Sequence, residues 1–256
     1  MAELDRSTMA GARVGTAGID EGLRTFMLSV YNYMAGGLAI TGAVAYLVYS
    51  MAVTNDPTGA AAQIRDGVYL TSFGVAMYTS ALKWVIMLAP LGMVFFLSAR
   101  VHKMSVQGAQ IAFWVFAALM GASLSSIFLV YTSSSITQVF FITAAAFGSL
   151  SLWGYTTKKD ISGWGSFLFM GLIGIIIAMV VNIFLASSAL QFAISVIGVL
   201  VFAGLTAYDT QQIKESYYSG DGDVVTGQIA IMGALMLYLD FINMFVMLLS
   251  LFGNRE

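Results

Sequence analysis

Apolar residues gather into seven long runs, each about the 20 residues that a helix needs to cross a bilayer. They cover Thr25–Val53, Leu82–Ala99, Ala109–Tyr131, Ser135–Tyr155, Gly165–Ser187, Ala189–Gln212 and Gln228–Gly253. Leu, Ile, Val, Met, Phe and Gly mix within them without period-two alternation, which excludes a transmembrane β-barrel. The pattern predicts an all-α, polytopic membrane protein with seven transmembrane helices. A shorter apolar stretch, Val68–Ala81, is parted from the second run by Lys83. It is too short to span and is expected at the interface. The chain divides into a polar tail over 1–24 and a seven-helix domain over 25–256. The first run is too long for the core of a signal peptide, so it is read as a retained span.

Composition narrows the function classes. Of 256 residues, 59% are hydrophobic and 9% charged, against about 25% charged in ordinary soluble domains. A water-soluble enzyme is excluded, and no enzymatic activity is expected. A net charge of −2 leaves no basic footprint for nucleic acid. With no cysteine there are no disulfides or thiolate sites, and the single histidine, His102, excludes a multi-histidine metal centre. The sixteen methionines read as apolar filler. No cofactor is expected.

Lys and Arg set the orientation. With the N-terminus in the cytoplasm, Arg6, Arg13, Arg24, Arg100, Lys103, Lys158, Lys159 and Lys214 lie inside, and Arg65, Lys83 and Arg255 outside. Eight against three places the N-terminus in the cytoplasm and the C-terminus across the membrane.

Three ionisable residues fall within or beside the spans: Lys83, Asp209 and Asp240. A charge at the bilayer centre costs roughly 2.5–3.5 kcal/mol on insertion scales, so it needs a partner, a wet cavity or a proton. Lys83, beside Trp84, reads as an interfacial anchor. Asp240 sits 12 residues beyond Gln228, about 18 Å along a helix and near mid-membrane, with Asn243 one turn on. Asp209 lies nearer the end of the sixth run. The loop Ile213–Gly227, with its Ser219-Gly220-Asp221-Gly222-Asp223 turn, joins the two runs as an antiparallel pair and lacks the ligand spacing of a calcium loop. A turn centred at Asp221–Gly222 leaves the two aspartates about six residues, or 9 Å, out of level. If they meet, two carboxylates in a low-dielectric site cannot both ionise cheaply and would share a proton. Their hard oxygens suit transient contact with calcium. Small residues at helix-packing spacing, such as Ala35, Ala39 and Ala43, Gly121 and Ser125, and Gly171 and Gly174, read as close-packing faces. Asn182 and Gln191 read as an interhelical hydrogen bond.

The segments Ala207-Tyr208-Asp209-Thr210-Gln211-Gln212-Ile213-Lys214 and Leu237-Tyr238-Leu239-Asp240-Phe241-Ile242-Asn243 resemble the late signature of the transmembrane Bax inhibitor motif family, including its bacterial YccA-like branch. The resemblance extends over residues 24–253. It implies a central last helix wrapped by two three-helix layers, in a bacterial plasma membrane. It also implies a pH-sensitive calcium leak whose sensor is an aspartate pair matching Asp209 and Asp240. Arg100, at the inner end of the second span, matches the family's gating latch. Tyr208, Tyr238 and Asn243 are candidate supporting groups. Some relatives carry an acid in the second span, where Leu82–Ala99 has none. The resemblance implies a second role as well, as a non-conducting regulator that binds or modulates a membrane-bound AAA protease.

Two rivals fail on residues. An intramembrane aspartyl protease would place Gly-x-Gly before its second acid, where this chain has Tyr238-Leu239. A retinal photoreceptor needs a lysine in the last span, and Gln228–Gly253 has none.

Overall fold

The computed structural model describes residues 2–65 and 67–255, and of residues 2–20 the backbone alone. The charge reading of Arg6 and Arg13 therefore falls outside the described side chains. Seven helices are long and apolar enough to cross a membrane, and they follow the seven apolar runs closely. They are α1 (Ala2–Ala52, its apolar part from Glu21), α3 (Leu82–Arg100), α4 (Val106–Leu124) continued by the short α5 (Ile127–Val130), α6 (Ser133–Thr156), α7 (Gly165–Leu185), α8 (Ser188–Glu215) and α9 (Asp223–Phe252).

Local chemistry sets the boundaries. Ser105, Thr132 and Ser187 cap the starts of α4, α6 and α8, each hydroxyl accepting from a backbone N–H in the first turn. Helix α7 stops where Ala186 turns left-handed, with φ 46°, and its N–H reaches the Asn182 carbonyl. The third run, read as one unbroken helix, breaks at Ser125–Ser126. There Ser125 donates back to the Ala122 carbonyl at 2.6 Å and accepts from Tyr78.

The Thr54–Ala81 connection carries structure that the sequence reading did not anticipate. Strands β1 (Val53–Thr54), β2 (Ala62–Arg65) and β3 (Val68–Leu70) form a small antiparallel sheet in the order β1-β3-β2. Helix α2 (Ser72–Tyr78) follows, docked on the end of α1 through Thr71, whose N–H and hydroxyl reach the Ala52 and Met51 carbonyls.

Helix α9 is the core of the bundle. It packs against α1, α4, α6 and α8, and 61% of its most apolar window is buried, against 11–39% for the other spans. On one side α1 and α3 pack on α4, and on the other α6 and α7 pack on α8. Small residues allow the close approaches: a Cβ on Gly121 would strike the Thr41 carbonyl of α1, and one on Gly154 the backbone of Ala207. By the order of the spans, Arg24, Arg100, Lys103, Lys158, Lys159 and Lys214 lie at the end of the bundle where α9 starts, and Arg65, Lys83 and Arg255 at the other.

Candidate functional site

The structure brings Asp209 and Asp240 together. Ile213 packs on Gly233 and Met247 on Gly198, so residue numbers of α8 and α9 add to 446 or 445 at equal depth. The level partner of Asp209 is then residue 236 or 237, three or four residues before Asp240. That stagger is about 5–6 Å, roughly one helical turn. It is smaller than the sequence estimate because the turn centres near Asp223 and not at Asp221–Gly222. Two aspartyl side chains bridge it, and their carboxyl groups lie within hydrogen-bonding reach.

Asp240 is 4% exposed, and its Oδ2 has no hydrogen-bond partner. Asp209 is partly exposed. A carboxylate only accepts hydrogen bonds, so a bond between the two groups requires a proton on one of them. Among the described residues no cation forms an ion pair with either acid, and no cluster of three or more His, Cys, Asp or Glu side chains stands ready to hold a resident metal. The site therefore holds two neighbouring carboxyl groups and an unsatisfied buried acceptor, Asp240 Oδ2, which needs a proton, a water or a cation.

The other predicted residues lie elsewhere. Arg100 is exposed at the end of α3 and makes no ion pair among the described residues. Gln228 of α9 is tied to the Met104 carbonyl close beyond it, and Asp240 lies 12 residues, about 18 Å, deeper. Tyr208 turns toward Gly165 at the start of α7. Asn243 donates to the Leu239 carbonyl of its own helix at 2.8 Å. Tyr238 is fully buried and faces α1 and α4. Its hydroxyl lies 2.6 Å from Thr41 Oγ1, and its ring meets Phe113 and Phe116 edge-on. Thr41 spends its one hydrogen on the Ala117 carbonyl, so Tyr238 is the donor to Thr41. None of these three supports the aspartates directly. Lys83 is exposed beside the Trp84 ring, as an interfacial anchor requires. Asn182 donates to Gln191 at 3.1 Å, the expected bond between α7 and α8.

Other signature residues are helix ties that the sequence reading passed over. Thr210 donates to the Thr206 carbonyl, Ser151 of α6 then donates to Thr210, and Tyr31 of α1 donates to Ser151 at 2.7 Å. Gln211 holds the α6–α7 connection by two bonds, donating to the Lys159 carbonyl and accepting from the Ile161 N–H, each at 2.9 Å. Lys214 donates to the Tyr155 carbonyl at 2.8 Å. The available signal was their clustering within one turn or two of Asp209.

Residues 23–256 match the family described as inhibitor of apoptosis-promoting Bax1. The chain is 47% identical to an uncharacterised protein of Rickettsia prowazekii over 237 residues, 93% of this chain and 92% of that one. It is 43% identical to the inner membrane protein YbhL of Escherichia coli over 237 residues, covering 92% and 94%. It is 33% identical to an uncharacterised membrane protein of Streptococcus pyogenes over 239 residues, covering 93% and 96%.

Proposed function

From the premise that this chain belongs to the Bax inhibitor family of membrane proteins, we propose that it is a pH-sensitive calcium leak gated by Asp209 and Asp240. It works without enzymatic chemistry, in a bacterial plasma membrane with its N-terminus in the cytoplasm. The observation that carries this reading is the buried carboxyl pair on the last two helices, with an unsatisfied oxygen and no cationic partner.

With one proton shared, the pair is a hydrogen bond between α8 and α9. Loss of that proton leaves two negative charges in a poorly solvated contact. They repel, and the repulsion falls on the interface between the central helix and its antiparallel neighbour. A divalent cation relieves the charge through hard oxygen ligands. Two carboxylates are too few for a resident site, which suits passage better than storage. Two acids outside the spans, Asp56 and Asp160, do not compete for the sensor role near neutrality. Hydrogen bonds from Ser162 hold the Asp160 carboxyl below its ordinary range, and those from Thr58 do the same for Asp56. The stabilisation each provides is present above the ordinary carboxylate range and is lost only as pH falls through the lowered value. Both remain ionised from pH 6 to 8.

Calcium entry into proteoliposomes between pH 6 and pH 8 tests the reading with wild type, Asp209→Asn and Asp240→Asn. The expected result is a flux whose pH dependence either substitution abolishes. No flux above protein-free vesicles, with folded and inserted protein, overturns the leak. The non-conducting regulator of a membrane-bound AAA protease then becomes the working reading.

A further inference from the structure

Helices α1 and α6 both pack on α9 but hardly on each other. Between them runs a lateral trough made of two cavities of about 620 and 450 Å³ that share Ala35, Leu38, Phe140 and Phe241. Its floor is the Phe241–Phe245 face of the central helix. Along α1 it extends from Arg24 to Ala45, 21 residues or about 31 Å, close to the thickness of a bilayer's hydrocarbon core. The part from Arg24 to Leu38 alone covers 14 residues, about 21 Å, and so exceeds one leaflet.

Two features select the occupant. First, the lining is almost wholly apolar, and the hydroxyls of Tyr31, Ser151 and Thr41 in its walls are already hydrogen-bonded, which leaves the Tyr155 hydroxyl near the Arg24 end. Tyr31 donates to Ser151 and Ser151 to Thr210, while Thr41 donates to Ala117 and accepts from Tyr238. Beyond its Arg24–Tyr155 end the trough offers no unsatisfied side chain among the described residues to a polar ligand or a file of water, and it opens toward hydrocarbon. Second, its mouth carries a cation, Arg24. Arg24 is exposed at the rim and, among the described residues, forms no ion pair, although Glu21 lies on the preceding turn. A guanidinium facing an interface is matched by a phosphodiester, which it binds through parallel hydrogen bonds.

The geometry points to a bound glycerophospholipid, with one acyl chain laid in the trough against Phe241 and its phosphate at Arg24. Because Arg24 is a net positive charge at the headgroup level, an anionic lipid is preferred over a zwitterionic one.

The glycines supply the test. A Cβ at Gly148, in the trough wall, meets nothing within 4 Å, and neither does one at Gly174, outside it on α7. Gly148→Phe, or the smaller Gly148→Leu, therefore fills the trough without displacing the fold, and Gly174→Phe is the matched control. Full-length protein in mild detergent is titrated with palmitoyl-oleoyl phosphatidylglycerol or phosphatidylcholine and read by native mass spectrometry. Wild type and Gly174→Phe should retain one phospholipid, phosphatidylglycerol about fivefold better. Gly148→Phe and Gly148→Leu should lose it, and Arg24→Gln should bind both lipids equally. Retention by the Gly148 variants at the wild-type level overturns the site. Absence of any retained lipid on folded wild-type protein does the same. An unchanged headgroup preference in Arg24→Gln overturns the assignment of the phosphate.

Discussion

A helix turns about 100° per residue, so neighbours in a motif serve different faces. Tyr238 is two residues from Asp240 and points about 200° away, into α1 and α4. The same sequence window thus carries the charge and a separate hydroxyl chain, Tyr238 to Thr41 to the Ala117 carbonyl. Deleting either end has unequal consequences. Tyr238→Phe removes one donor and leaves Thr41 bonded to Ala117, at a cost of about 1 kcal/mol. Thr41→Val leaves both the Tyr238 hydroxyl and the Ala117 carbonyl without that partner in the core, at about 1–3 kcal/mol. Thermal unfolding in detergent should rank wild type above Tyr238→Phe and Tyr238→Phe above Thr41→Val. Asp209 and Asp240 were legible in the sequence because a charge inside an apolar run is conspicuous. Thr41 and Ser151 were not, since a hydroxyl in such a run satisfies itself on its own helix as readily as on another. Nor does sequence alone say which neighbour a helix face meets, which is why Tyr208, Tyr238 and Asn243 looked like partners of the acids.

At the scale of elements, the spans were read to within a few residues, because apolar length is the dominant constraint in a bilayer. The short elements were hidden. Strands of two to four residues have no periodicity to detect, and the break between α4 and α5 leaves the apolar run intact. Connections also carry specific bonds. Gln211 alone ties the α6–α7 turn to α8 on both a carbonyl and an N–H. Gln211→Leu should free that turn, so that hydrogen exchange at Ile161 accelerates by about tenfold or more while exchange in the middle of α9 is unchanged. Equal acceleration in both would mean that Gln211 supports the bundle as a whole and not the turn.

For the whole molecule, the sequence resemblance and the packing agree on a central last helix. Orientation rests on charge. Six of the nine basic residues with described side chains lie at the end where α9 starts. By the positive-inside rule the C-terminus is expected across the membrane from the cytoplasm, which reporter fusions test. In a bacterial host, alkaline phosphatase fused after Glu256 should be active, and green fluorescent protein at the same point dark. The reverse pair of results would invert the topology and exchange the faces on which the aspartates and Arg24 act.

The central position of α9 has a consequence for biogenesis. The chain is made from its N-terminus, so the helix on which every layer packs is made after the other six spans. Thirty-seven residues lead from Glu215, the end of α8, to Phe252, the end of α9, about 2–7 s of translation at 5–20 residues per second. Until α9 is in place, the surfaces it covers in the finished fold, among them Thr41, Phe113 and Gly198, lack that cover, and Asp209 lacks its neighbouring carboxyl. The bundle is finished only when α9 has entered it, so a chain cut before α9 should lack its core and be degraded faster than one cut after Phe252.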